Sequence, residues 1–361
     1  MTTGLRMNTA MAAPFSFRAI AQIDACLETH LKTNPFSGNV IVAKGPEASI
    51  VRSYGLANQE HRVANTAHTK FRIGSVTKQM TAAVVLQLQD HQLLNIEAPV
   101  SAYLPDYPEG HRITLHHLLT HTAGIPDYLS AELFPNIEDW LRLPATLDQL
   151  VDRFKDLPLT FHPGKAFMYS NSGYILLTKI IETVTGEPYA DCLQTRLFEP
   201  LGMAHTGYEI PGAVIPNLAQ GYLFVDDSTY LSAAPIDMSL PQGAGGVYST
   251  VGDLALWHQW LHGDPTHQTL LSPKLIDAIK QPVIAIDLEQ EWPDAFYGYG
   301  LVHDTYLDQP LIHHDGKING FGSSLAYCPH QNLTVGVLSN MENSAPEEIA
   351  KALLKTLIKA A

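Results

Sequence analysis

Apolar residues recur at helical spacing at Ile20, Ile23, Leu27 and Leu31, and this predicts a helix over residues 16–33. Two β-rich stretches follow, 38–45 and 48–58, joined by a short Gly-Pro-Glu turn, and they read as a hairpin. From about 71 to 235 the periodicity is mostly helical, interrupted by proline-containing loops. Three more apolar stretches with turn signals between them lie near the C-terminus: QPLIHH, SSLAYCP and LTVGVLSN. The last segment, 344–360, opens with a Ser344-x-x-Glu347 capping-box pattern and carries an amphipathic stripe.

A helix and strands open the chain, helices fill its middle, and strands plus a helix close it. The simplest packing is an α+β arrangement: one antiparallel sheet built from both ends, flanked by the terminal helices, with an all-helical lobe inserted between its halves. The expected division is a single catalytic domain over 16–361, with an α/β lobe of about 16–70 and 236–361 and a helical lobe of about 71–235. Residues 1–15 read as a disordered or tag-like N-terminus. A site is expected in the crevice between sheet and lobe.

Composition narrows the function classes. Of 361 residues, 45% are hydrophobic and 16% charged, as in ordinary globular proteins. The 22 basic and 36 acidic residues give a net charge of −14, with no basic cluster or stripe, which argues against nucleic acid or an anionic membrane as partner. Cys26, Cys192 and Cys328 are far apart and odd in number, so buried thiols are expected and not a disulfide framework. The first residues lack the apolar run of a signal peptide, and no stretch approaches the ~18 apolar residues of a membrane span. As written the chain reads as cytoplasmic; with a leader removed it would be periplasmic or secreted. The sequence leaves the oligomeric state open.

Three short segments carry candidate chemistry. In the first, Ser75-x-x-Lys78 follows Gly74. Glycine permits a sharp turn that puts Ser75 in the first helical turn, where its own N–H is unpaired. Residues three apart share a helix face, so the Lys78 amine can reach the Ser75 hydroxyl. Apolar neighbours (Val76, Met80, Val84) would strip its hydration and lower its pKa, making it a proton acceptor. Alone, this spacing is common and a capped helix with a surface lysine accounts for it better. The second segment is Tyr169-Ser170-Asn171, ahead of an apolar helical run. A phenol near ammonium or hydroxyl groups can be drawn toward its anion and act as a base. Asn171 offers an amide that suits a substrate carbonyl or can orient Lys78. The third is His314-Asp315-Gly316-Lys317 at the end of an apolar stretch, where the Lys317 N–H can join that of Ser75 around an oxyanion.

The order of the three is more specific than any one of them. A Ser-x-x-Lys helix start, then Tyr-x-Asn, then a strand ending in a basic-x-Gly triplet resembles the class C β-lactamase, penicillin-binding peptidase and family VIII esterase group. The segments 113–128, 197–208, 243–257 and 297–301 are similar to that group's framework, so the resemblance spans about residues 35 to 340. It implies a β-lactamase/transpeptidase-like fold and a serine hydrolase acting on a small-molecule ester, amide, lactam or peptide, with no metal or organic cofactor. It further implies that Ser75 forms an acyl-enzyme, that Lys78 and Tyr169 handle its proton, that Asn171 holds the acyl side chain, and that the N–H groups of Ser75 and Lys317 form the oxyanion hole.

One departure matters. The group's third motif typically reads Lys-Thr-Gly and helps to bind a substrate carboxylate; here it is His314-Asp315-Gly316. An aspartate facing the cleft would repel that carboxylate by about 4 kcal/mol at ~4 Å before screening. Esters, amides or substrates with a free amine are therefore favoured, and an esterase or peptidase/amidase is expected in place of an efficient β-lactamase, with a true class C-type β-lactamase, a D-alanyl-D-alanine carboxypeptidase and a sensor acylated without turnover as the alternatives. If Asp315 points away, only His314 matters. Tyr128 and Tyr222 sit in loops able to line the cleft. His116, His117 and His121 lack the H-E-x-x-H pattern of a zinc site and read as structural, and His313 reads as a strand residue facing away from His314. Asn332-Leu-Thr334 reads as a turn.

Overall fold

The computed structural model describes residues 15–32, 34–45, 48–226, 229–263, 270–286 and 295–359. Five helices frame it: α1 (Phe17–Leu31), α2 (Thr77–Asp90), α3 (Asn171–Thr185), α4 (Val251–His262) and α5 (Pro346–Ile358). Helix α1 begins where the Ser16 hydroxyl accepts the Ala19 N–H at 3.2 Å, and it buries Ile23 and Leu27.

The main sheet has eight strands: β1 (Gly38–Lys44), β2 (Ala48–Tyr54), β3 (Ile284–Ala285), β4 (Phe296–Tyr297), β5 (Val302–Tyr306), β6 (Gln309–Ile318), β7 (Phe321–Cys328) and β8 (Leu333–Ser339). Their spatial order is β3-β4-β5-β6-β7-β8-β1-β2, antiparallel throughout. The N-terminal hairpin thus joins the C-terminal meander through β1 and β8, with Val40 opposite Val337.

Strand alternation divides the core in two. Val40, Val42, Val335 and Val337 face α1 and α5, packing on Ile23, Leu27, Ile349 and Leu353. Ile41, Leu325 and Leu338 face the other way, into the larger core that contains α2 and α3. Helix α2 is buried from Thr77 to Leu88. A helix enclosed on all sides needs partners for its polar residues, and Gln79 accepts the indole N–H of Trp257 at 2.8 Å.

Two expectations are corrected. The stretch 71–235 is not all helix. Phe71–Arg72 and Gly207–Tyr208 pair with Val247–Ser249 in a small three-stranded sheet, and Tyr222–Asp226 forms a hairpin with Thr229–Ser232. These strands have two to five residues, too short to show alternation in the sequence. The Ser344–Glu347 capping box also does not form. Pro346 opens α5 with Ala345 at its N-cap, and the Ser344 hydroxyl donates instead to the Met341 carbonyl at 2.7 Å. Residues 1–14 of the expected N-terminal tail lie outside the described residues. Cys26, Cys192 and Cys328 are free thiols, the last two buried. Asn332 has φ +47° and sits in the turn before β8. No helix among the described residues is long and apolar enough to cross a membrane.

Candidate active site

The chain reaches the site at Gly74, whose φ of +49° lies in the left-handed region that glycine accepts without strain. Gly74, Ser75 and Val76 make one 3-10 turn that runs into α2, so Ser75 stands at the head of a buried helix. Strand β6 crosses this turn at backbone contact. A Cβ on Gly316 would fall 2.1 Å from the Ile73 carbonyl oxygen and 2.9 Å from the Ser75 nitrogen; one on Gly74 would fall 2.9 Å from the Lys317 nitrogen. Both positions therefore require glycine, and the backbones bearing the Ser75 and Lys317 N–H groups meet there. The Ser323 hydroxyl of β7 clamps the turn by donating to the Ile73 carbonyl at 2.8 Å.

Lys78 lies one helical turn after Ser75 and is fully buried. Its Nζ is 3.1 Å from Ser75 Oγ, 2.8 Å from Asn171 Oδ1 and 2.8 Å from the Ala244 carbonyl oxygen. Burial pulls its pKa down to about 7, opposed by the charge of Asp127. The two carbonyl oxygens can only accept. A neutral Lys78 amine therefore spends both N–H bonds on them, and its lone pair is left for the Ser75 hydroxyl.

Asn171 begins α3, and Asp127 fixes it. One Asp127 oxygen accepts the Asn171 side-chain amide at 2.8 Å and its main-chain N–H at 3.2 Å, while the other accepts the Leu129 N–H at 2.9 Å. The Tyr169 ring lies 4.7 Å from Lys78 Nζ, and its hydroxyl is close enough to Ser75 to feel it. The phenol is not drawn toward its anion. Burial pushes its pKa up, against the lowering effect of Ser75, and the Asp127 charge adds to the rise. Tyr169 is a neutral hydroxyl at physiological pH.

Behind Tyr169 runs a chain of bonds whose polarity is fixed at both ends. His121 Nδ1 accepts the Ser170 N–H at 3.1 Å, so its proton is on Nε2, which points at the Tyr297 hydroxyl at 3.2 Å. His314 Nδ1 faces the Asp315 carbonyl at 2.6 Å and must donate, which leaves Nε2 to accept from Tyr297 at 3.1 Å. Burial, with the charge of Lys78, drives His314 down to about 4 and His121 well below its ordinary value. Both are neutral. The His121 ring also packs on Tyr169, centroids 4.2 Å apart.

The structure thus brings together Ser75, Lys78, Tyr169, Asn171, Gly316 and the Lys317 backbone, with His314 behind them. Tyr128 lines the same cavity, its hydroxyl donating to the Leu240 carbonyl at 2.9 Å. Of the two orientations left open for Asp315 the one pointing away holds, and the expected place of Tyr222 at the cleft does not. Asp315 does not face the cleft: on a strand, 314 and 315 take opposite faces, and Asp315 points under the sheet toward α5, with His313 Nδ1 3.6 Å away. Tyr222 is bound elsewhere, donating to Glu60 and accepting the Gln59 N–H. His116 and His117 face Tyr299 and the Thr114 N–H. Asp127, His121 and Tyr297 enter the site unforeseen. The one signal for Asp127 was its place beside Tyr128 in a loop already marked as framework.

A serine, an amine and a phenol thus converge at a helix head next to a glycine-lined strand. The Beta-lactamase family model matches residues 23–359. The chain belongs to this family. As a family member it is a serine hydrolase. The chain is 30% identical over 275 residues to the teichoic acid D-alanine hydrolase of Staphylococcus aureus, covering 76% of this chain and 64% of that protein. The solved penicillin-binding protein of Bacillus halodurans superposes with a TM-score of 0.78 at 27% identity, over 93% of this chain and 99% of that one. The D-amino acid amidase of Ochrobactrum anthropi SV3 shares the fold, with a TM-score of 0.80 at 22% identity over 95% and 99% of the two chains.

Proposed function

We propose that this β-lactamase-family hydrolase cleaves an ester or amide through an acyl-enzyme on Ser75, with neutral Lys78 as the base. The observation that carries the reading is the Lys78 amine, held by two carbonyl oxygens with its third direction on Ser75 Oγ. A base with a pKa of about 7 is half deprotonated at neutral pH and still basic enough to take the serine proton. As Ser75 Oγ adds to the carbonyl carbon, its proton passes to Lys78 and the developing oxyanion lies against the N–H groups of Ser75 and Lys317. Tyr169, protonated and beside Ser75, relays the proton from Lys78 to the leaving oxygen or nitrogen. Deacylation reverses the roles, Lys78 taking a proton from water. Asn171 and Asp127 hold the amine in line throughout.

Efficient turnover of a β-lactam is disfavoured by His314 and not by Asp315. The family's typical motif offers a lysine at the first position of this triplet; here that place has a neutral imidazole whose Nε2 already accepts from Tyr297. Hydrolysis of a D-alanyl ester is a second reading, favoured by the name of the Staphylococcus aureus relative. Labelling with a fluorophosphonate, peptide mapping, and parallel rates on a phenyl ester, a D-amino amide and benzylpenicillin test the proposal. Label on Ser75 with ester or amide turnover far above penicillin turnover is the expected result. Label elsewhere, or penicillin turned over as fast as the ester, would overturn it.

A further inference from the structure

Ser75 opens into a cavity of about 230 Å³ between α3, the loop after Asp127 and the end of β6. Leu129, Ile137, Leu141, Ile236, Leu240 and Ile318 contribute its apolar wall. Among the described residues lining it, Lys317 is the sole charged one and none is acidic. Asp127, the carboxylate that holds Asn171, is not in the wall, and its oxygens are occupied by the Leu129 and Asn171 N–H groups. The larger cavity of about 440 Å³, which does hold Asp315, Glu347 and Glu348, lies on the other face of the sheet and does not include Ser75.

We infer that this cavity takes the acyl part of the substrate and selects an uncharged hydrocarbon acyl group, rejecting an α-aminoacyl group. The inference rests on the Ser75 acyl-enzyme proposed above. An α-ammonium carried into the pocket would lose water, find no carboxylate among the described residues of its wall, and approach the Lys78 amine on the acyl carbon's own side. Buried charge without a partner is strongly disfavoured, whereas each methylene placed against the leucine and isoleucine wall is removed from water, which is favourable. The specificity residues are therefore the aliphatic ones, foremost Leu141 and Ile137, which come from a segment (136–141) distant in sequence from all three catalytic motifs.

The isobutyryl and D-alanyl groups differ only by a methyl in place of an ammonium, so their phenyl esters form a matched pair. The expected result is a kcat/KM at least 100-fold higher for phenyl isobutyrate than for the D-alanine phenyl ester, after subtraction of spontaneous hydrolysis. Leu141→Asp, which places a carboxylate in the wall, is expected to move the ratio at least 10-fold toward the D-alanyl ester. Ser75 labelled by a fluorophosphonate together with equal or preferred D-alanyl turnover would overturn the inference and leave the hydrolase reading intact. Failure of both esters with no label on Ser75 would overturn the site itself. If Leu141→Asp does not fold, the wild-type ratio alone decides.

Discussion

Asp127 grips Asn171 by both its side-chain amide and its main-chain N–H, at 2.8 and 3.2 Å, from the side opposite to Lys78. The carboxylate thus acts on Lys78 twice: mechanically through Asn171, and electrically by raising the Lys78 pKa against the lowering effect of burial.

Replacing Asp127 by Asn removes the charge and keeps the shape. The Lys78 amine then loses its one favourable charge partner, so its pKa falls further, and the acidic limb of the kcat/KM profile shifts to lower pH. The bond to Asn171 weakens at the same time, and about a 10- to 100-fold loss in kcat is expected. A profile that stays in place would separate Asp127 from Lys78.

Lys78→Met fills the same buried volume without an amine. Burying an amine costs hydration, so the variant is expected to be as stable as the parent or more so in thermal melts. Its kcat/KM should fall by roughly 10²- to 10⁴-fold, the range of a lost general base. A large drop in melting temperature would instead show that Lys78 holds the fold together.

Gly316→Ala puts a methyl against the Ile73 carbonyl and the Ser75 nitrogen, both backbone atoms. Neither can rotate away, so β6 must shift from the nucleophile turn. The expected cost is about 1–3 kcal/mol of stability. A displacement of about 1 Å at the oxyanion site should lower kcat about 100-fold. Unchanged activity would mean that the two backbones do not jointly hold the oxyanion.

Acid should destabilise the molecule well before its carboxylates titrate. Burial holds His258 at about 3, and His303 and His314 at about 4, below the unfolded value near 6.5. A histidine depressed in the folded state is protonated first in the unfolded one. Its contribution to stability is therefore complete above pH 6.5 and is lost as pH falls toward the folded value. His258 alone loses about 2 kcal/mol between pH 7 and pH 5. Melting temperatures should decline through this window, with a shallower decline in His258→Phe; a flat trace from pH 7 to 5 would contradict it.

Much of this site is readable in the sequence because its chemistry is tied to spacing. Ser75 and Lys78 share a helix face at any helix start, and Tyr169 with Asn171 precedes a long apolar run that has to be a helix. Asp127 is not readable that way. It acts through a loop with no periodicity, and nothing in the residues around it marks an acid that holds another residue's amide. The orientation of Asp315 depends on the phase of β6. Alternation says that 314 and 315 face opposite ways, but only packing against the Gly74–Ser75 turn says which faces Ser75. The neutral state of Tyr169 is likewise beyond reach, since burial outweighs the influence of Ser75 and burial is a property of the assembled lobe. The short strands at 71–72 and 207–208 form by pairing with 247–249, far along the chain, and 222–226 pairs with 229–232 close by; none of them has enough residues to show a pattern of its own.

The rate of Ser75 labelling by a fluorophosphonate from pH 5 to 9, read by mass spectrometry of the peptide that contains it, is the most direct measurement of how the serine is activated. A neutral Lys78 as base requires the rate to climb with pH through an apparent pKa of about 7 in the parent chain, and the climb to vanish in Lys78→Met. A rate independent of pH across that range, or the same climb in Lys78→Met, would contradict it.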